Sequence, residues 1–426
     1  MTAFFLKTFL HTRRLSLLLA LGVGLALRIV MVFVEPITPT WDGIYYDRIA
    51  DDIAEGDGYT TDVFTKRDEG HASAMYPVGF PAVLAALRSM GVNHQGELFF
   101  QALCSAFLIP LVWFFGRRLG GIKTANLAAW LIALWPGGIL ASASYMTEPL
   151  FAFVFCLALL PLWYARRKLS LYTVALSMVL FGLAAYVRPT ALIAGVLLSM
   201  ALAMFVMRKG VKKHWKHSAS LLAVAWCCLL LPLAPWAWRN SQTMGAPVLV
   251  STNGGQNLLL GTYDFGGFQT MPNTMKCSPK LSEVEKTRCY NRRAMQRIRK
   301  HPMAWLGRGL YKTVQTFSYE TWPAYQWLQA SGNYKAPATT LVVWVLAITR
   351  FFFWIISTAA ASGLAFLLIA PNRRYTKLLV VVPLLAVAAV HFVYISGGRY
   401  HYPLVPYFSA LAAYAMQRFS NLAKTA

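Results

Sequence analysis

The residues that could do chemistry crowd into one polar stretch, Glu35–Arg88, which holds ten of the chain's sixteen acids. Asp42 leads them, set between Trp41 and the pair Tyr45 and Tyr46 where a long apolar run ends. A carboxylate among aromatics at a bilayer edge is placed to take a proton from a hydroxyl nucleophile. The same position would also suit the N-cap of the helix that follows, a role worth about 1 kcal/mol. The residue types alone leave both readings open. In that helix, YYDRIADDIAEG, residues Tyr46, Ile49 and Ile53 share a core-facing side, which sends Asp47, Asp51, Asp52 and Glu55 to solvent. A second acid, Glu148 in ASASYMTEPLF, stands alone in a long acid-free region. It suits the first turn of a helix, yet an acid at the lipid boundary is costly to keep without a role.

Arginines offer the complementary charge. Arg188, Arg239 and Arg399 each end an apolar span on the same side as these acids. Guanidinium binds phosphate bidentately, although a terminal arginine also snorkels to headgroups. Lys66 and Arg67 are further phosphate candidates. STNGGQNLLLGTY (251–263) allows a tight turn with exposed amides, but it lacks the lysine and spacing of a nucleotide-binding P-loop. His71, His94, His301, His391 and His401 are scattered without zinc spacing, so each reads as structural. No nucleophilic serine elbow occurs. Cys104, Cys156, Cys227 and Cys228 fall in apolar runs, whereas Cys277 and Cys289 share a polar loop and would pair if it faces an oxidising compartment.

The elements that must position these groups are membrane helices. The chain is 57% hydrophobic and 13% charged, with mean hydropathy +0.48. These values belong to a polytopic membrane protein. Apolar runs of about 20 residues can each cross the hydrocarbon layer. They predict ten spans, near 15–34, 97–116, 123–142, 147–165, 170–187, 190–207, 217–237, 341–369, 377–396 and 401–417. The basic start runs into the first span without a small-residue cleavage site, which predicts a retained helix. Two long polar loops, 35–96 and 239–340, interrupt a single transmembrane domain over 1–426. Within the second, 283–302 reads as a basic helix and 304–317 as an amphipathic segment on the membrane. With the N-terminus inside, the cytoplasmic pieces carry only Lys and Arg, and all sixteen acids lie opposite. This predicts both termini inside and both long loops outside. The net charge of +24 is dispersed around spans and matches anionic lipid and phosphorylated lipid substrates rather than nucleic acid.

WDGIYYDRIADDIAEGDGY, YPVGFPAVLAAL (76–87) and SYMTEPLFAF resemble the GT-C glycosyltransferases. So do GLAAYVRPTAL, PWAWRNSQTMGAPVLVSTNGGQNLLLGT, HPMAWLGRGLYK and RYHYPLVPYFSALAA, which follow in the family's order. The nearest branch is that of the protein O-mannosyltransferases and the undecaprenyl-phosphate aminoarabinose transferases. The resemblance implies an all-helical membrane fold with juxtamembrane helices in the first outer loop. It implies inverting transfer from a polyprenyl monophosphate sugar to a lipid, glycan or protein acceptor, on the outer face of a bacterial inner membrane. It makes Asp42 the base that activates the acceptor and Glu148 a partner positioning acceptor, water or metal. Arg239 becomes a donor-phosphate ligand, with Arg399 and Arg188 beside it. Trp41, Tyr45, Tyr46, Tyr76, Asn253, Tyr400 and His401 are then expected to wall the substrate pocket. No cofactor is indicated beyond a divalent metal that the acids could hold.

Two departures stand out. The family often has an Asp-Glu pair where this chain has Asp42-Gly43. The aminoarabinose branch has a basic residue before the Pro-rich turn where this chain has AMYP, and Lys66, Arg67 or His71 are the candidates to replace it. The rival functions are a ligase using a lipid diphosphate donor and a lipid-linked sugar transporter. Confinement of the acids to one side and the lack of an inverted repeat weigh against transport.

Overall fold

In a computed structural model, the described residues are 2–34, 37–60, 71–165, 169–208, 210–263, 275–333 and 339–424, with side chains described from 15 onward in the first helix. They form α1 (Thr2–Val34), α2 (Asp42–Glu55), α3 (Gly79–Ser89), α4 (His94–Ala106), α5 (Leu108–Gly120) and α6 (Ile122–Ala133). Next come α7 (Pro136–Ala141), α8 (Glu148–Tyr164), α9 (Leu171–Val187), α10 (Thr190–Met207), α11 (Val211–Leu230) and α12 (Ala234–Met244). The rest are α13 (Gly254–Gly261), α14 (Glu283–Lys300), α15 (Pro302–Ser318), α16 (Trp322–Ala330), α17 (Thr340–Ile369), α18 (Arg374–Val393) and α19 (Val405–Leu422). Among the described residues the extended structure amounts to an isolated bridge between Thr60 and Ala72.

Each of the ten expected spans falls on one helix or on two in succession. Among the described residues six helical stretches are long and apolar enough to cross a membrane, α4 with α5 and α11 with α12 counting as one each, and α6, α8 and α9 are shorter apolar helices. The run 123–142 divides because Pro136 opens a new helix, α7, and proline cannot continue the hydrogen-bond ladder of α6. The run 217–237 instead extends through a 3-10 turn at Leu231–Leu233 into α12. Helix α19 is buried along most of its length rather than facing lipid. Its strongest neighbour is α17, and the approach is close. A Cβ on Gly363 would stand 2.0 Å from the Leu411 carbonyl oxygen, so only glycine fits there.

Two buried cations lock helices by their ends. A helix C-terminus leaves carbonyls without partners and carries partial negative charge. Arg28, fully buried in α1, donates to the carbonyls of Ile132 at 3.0 Å and Ala133 at 3.1 Å, where α6 ends, and to Ser105 at 2.8 Å. Lys312, fully buried in α15, donates to Gly261 O at 2.8 Å, Val393 O at 3.1 Å and Tyr394 O at 2.6 Å. One ammonium therefore closes both α13 and α18. Lys312→Met strands three buried acceptors and is expected to destabilise the fold by about 3 kcal/mol. A thermal melt of the purified protein checks this, and an unchanged midpoint would show that water replaces the lysine.

Candidate active site

Helix α2 presents Asp42 through a strained turn. Trp41, just before it, has φ of 52°, a left-handed backbone that costs a bulky residue energy. Trp41 is held there by its indole donating to Gln329 and by Trp322, whose ring centroid is 6.3 Å away. Asp42 is the first helical residue rather than the cap, and its carboxylate turns to side chains. Its Oδ2 accepts from both terminal nitrogens of Arg399 at 3.1 Å, and its Oδ1 accepts from the Tyr76 hydroxyl at 3.2 Å. The Arg399 guanidinium lies between Trp322 and Tyr400, 5.0 Å from each ring. Burial disfavours the Arg399 charge, but Tyr400 and Asp42 outweigh burial and raise its pKa well above the ordinary value. Burial, reinforced by the charge of Asp42, also raises the pKa of Tyr76, so its phenol stays a donor.

A second ion pair stands beside the first. Arg188 binds Glu148 at 2.6 Å and donates through Nε to Thr147 Oγ1 at 2.8 Å. Tyr400 touches both pairs, because the Arg188 guanidinium lies 5.7 Å from its ring. The two acids and two arginines balance in charge, and both arginines line a cavity of about 1650 Å³.

The cavity wall includes Asp42, Trp41, Tyr45, Tyr46, Tyr76, Asn253, Arg188, Arg399 and Tyr400. Glu148 sits just behind it, reached through Thr147 and Arg188. Lys66 and Arg67 lie outside the described residues. Arg239 and His401 stand off the wall. Arg239 donates to Ser73 O at 2.7 Å and Tyr59 O at 2.9 Å, bracing the base of the first polar loop from α12. His401 is fully buried, with its Nδ1 on Thr316 O at 2.6 Å and its Nε2 3.5 Å from Glu320. This contact with the α15–α16 connection anchors the loop that carries Arg399. Arg48 and Arg288, which no sequence motif marks, also line the cavity. Their only sequence signal is position: Arg48 lies on α2 with Asp42, and Arg288 lies near the start of the basic helix.

The acids of α2 need a correction. Asp51 and Glu55 are exposed, as expected, but Asp47 is only 21% exposed; Arg88 binds Asp47 and Asp51 at 2.6 Å and also holds Glu97 at 2.7 Å. The arginine comes from α3, so spacing within α2 gives no sign of it. Asp47, His94 and Glu97 form a cluster with metal-type ligands among the described residues. Arg88 already balances its carboxylates, which makes it an ion-pair network. Cys277 and Cys289 form a disulfide, with Cα atoms 6.3 Å apart.

Gly43 explains one departure from the family pattern. A Cβ there would lie 2.9 Å from the Tyr145 carbonyl oxygen, so the backbone of α2 rests against the segment that leads to Glu148. A second carboxylate beside Asp42 has no space.

No family model matches the chain, and no curated protein matches its sequence. Solved structures do. The Archaeoglobus fulgidus oligosaccharyltransferase in the apo form aligns with TM-score 0.56 and 15% identity, over 95% of this chain and 51% of that one. The same organism's oligosaccharyltransferase AglB, in complex with an inhibitory peptide and a dolichol-phosphate, aligns with TM-score 0.55 and 16% identity, over 98% of this chain and 51% of that one. ArnT from Cupriavidus metallidurans bound to undecaprenyl phosphate aligns with TM-score 0.45 and 13% identity, over 96% and 79%. The chain spans about half the length of the oligosaccharyltransferase structures. It has their transmembrane fold.

Gly43→Ala is expected to cost about 1–3 kcal/mol by forcing α2 off Tyr145. The melting midpoint in detergent measures this, and no shift would mean the backbone has room to spare.

Proposed function

We propose that this protein is an inverting glycosyltransferase that takes its sugar from a polyprenyl monophosphate donor, with Asp42 as the general base. The observation that carries the reading is the Asp42 carboxylate on the wall of a large cavity, facing a guanidinium and flanked by aromatics. The oligosaccharyltransferase fold supports it, since one structure with that fold was solved with a dolichol-phosphate. The acceptor is a lipid, glycan or protein hydroxyl or amine.

The chemistry follows from the residue types. The acceptor atom forms a bond to the anomeric carbon as the bond from that carbon to the phosphate oxygen breaks. The electron pair leaves with the phosphate, and the acceptor's proton passes to Asp42. Arg399 and Arg188 stabilise the charge that develops on the leaving phosphate. At rest Arg399 is bonded to Asp42, and a phosphate entering the cavity competes for that guanidinium. Engagement of the phosphate frees the carboxylate to act as a base. Tyr76 holds the carboxylate in place from its other oxygen. Glu148 keeps Arg188 oriented. The aromatic walls suit a sugar ring, and the apolar helices suit the polyprenyl tail.

The active face is assigned to the outside of the membrane, an orientation that the segregation of Lys and Arg supports. The Cys277–Cys289 disulfide supports this, since disulfides persist in oxidising compartments.

Asp42→Asn, folding normally by thermal melt, is expected to lower transfer from a radiolabelled polyprenyl-phosphate sugar by about 10²–10⁴-fold while donor binding persists. Full activity in that variant would remove Asp42 from the mechanism. A wild type that transferred from a lipid diphosphate sugar and never from a monophosphate would favour the ligase reading. In intact cells, Cys277 and Cys289 are expected to resist maleimide labelling until a reductant is added. Labelling without reductant would place the loop in the cytoplasm.

A further inference from the structure

We infer that the outward face of α14 is a binding track for a polyanionic portion of the sugar acceptor, one that carries phosphate or carboxylate groups at intervals. The inference rests on the glycosyltransferase reading and adds the acceptor's chemical class.

The sequence of α14, EVEKTRCYNRRAMQRIRK, has two acids, both in the first turn, and its remaining charges are basic. The acids are engaged. Glu283 accepts from Ser73 Oγ at 2.7 Å and from the Ala74 amide at 3.0 Å, and Glu285 closes a capping box with Ser282. The inner side of the helix is fastened to the cavity rim. Arg293 donates to Met275 O at 2.8 Å, Arg297 lies 3.4 Å from the Tyr263 ring centroid, and Thr287 donates to Thr252 O at 2.6 Å. The disulfide at Cys289 adds a covalent tie. The helix is therefore held firmly with one face turned out.

That face carries Arg288, Arg292 and Arg299, all exposed. At about 100° per residue they fall within about 40° of one another, over about 16 Å of helix. None of the three forms a salt bridge among the described residues. Such a row, on a helix that cannot swing away, concentrates positive potential along a line.

Its position selects the occupant. Val284, Thr287 and Arg288 line the cavity that holds Asp42, while Arg292 and Arg299 continue the row beyond the cavity wall. A ligand on the row therefore reaches the reacting centre at one end. The donor offers one phosphate, which the cavity arginines accommodate, and a row this long serves several anionic groups. The next helix makes the contrast with a lipid surface. Helix α15 exposes Met303, Leu306, Leu310 and Val314, the apolar face that an interfacial helix needs. The α14 row presents guanidinium groups instead.

The test reads binding, not transfer, so it is independent of the catalytic reading. The full chain is placed in nanodiscs of phosphatidylcholine, which carry no net headgroup charge, and titrated with fluorescently labelled linear polyphosphate. The wild type is expected to bind polyphosphate more tightly than inorganic phosphate competes, with affinity falling as salt rises. The double variant Arg292→Ala/Arg299→Ala is expected to weaken binding by about fivefold per arginine. The variant Lys212→Ala/Lys213→Ala removes the same charge from exposed positions at the start of α11 and is expected to bind as the wild type does. Asp42→Asn is expected to keep binding, so loss of transfer with binding intact speaks only to catalysis. Equal losses in the two double variants, or no loss in the first, would overturn the inference. Thermal stabilisation by phosphatidylglycerol that disappears in Arg292→Ala/Arg299→Ala, with polyphosphate binding unchanged, would assign the row to membrane headgroups and overturn it as well.

Discussion

The bond between Asp42 and Arg399 joins residues 357 positions apart and sets the terms for the surrounding structure. A charge at the edge of an apolar bundle is costly unless it is paired and hydrogen-bonded. Keeping an ionised carboxylate there requires a cation delivered from the far end of the chain. The loop carrying that cation must in turn be fixed. Its anchors are the His401 contact with Thr316 and Glu320, and the Trp322 ring beneath the guanidinium. The strained Trp41 backbone and the tight seat of Gly43 serve the same end from the other side.

The remaining polar scaffold follows one rule: cations satisfy carbonyl groups that helix ends and loops leave open. Arg28 does so for α6, Lys312 for α13 and α18, and Arg239 for the base of the first polar loop. This distinguishes two kinds of cation. Those bonded mainly to carbonyls hold the frame. Those paired with carboxylates, Arg188 and Arg399, line the cavity.

The sequence disclosed whatever depends on local pattern. Apolar runs marked the helices, the core face of α2 followed from its period, and two cysteines in one polar loop marked the pair. Trp41, Asp42, Tyr45 and Tyr46 adjoin one another in the chain, and all four line the cavity. Long-range pairing was not visible. Nothing near Asp47 or Asp51 announces Arg88, and nothing near Arg239 announces that loop carbonyls occupy it. His401 neighbours Arg399 in sequence, yet its ring turns into the core while Arg399 turns to the cavity. The break at Pro136 and the burial of α19 escaped the pattern for a related reason, because both concern packing rather than hydropathy.

Lys312 has a bearing on how the chain is made. Its acceptor at Gly261 is synthesised before it, and its acceptors at Val393 and Tyr394 come after it. The lysine is thus already synthesised when the end of α18 leaves the ribosome. Arg399 follows within a few residues. Until then Asp42 waits without its cation, which is synthesised 357 positions after it. A nascent chain stalled before that point would carry Asp42 without the guanidinium that pairs with it.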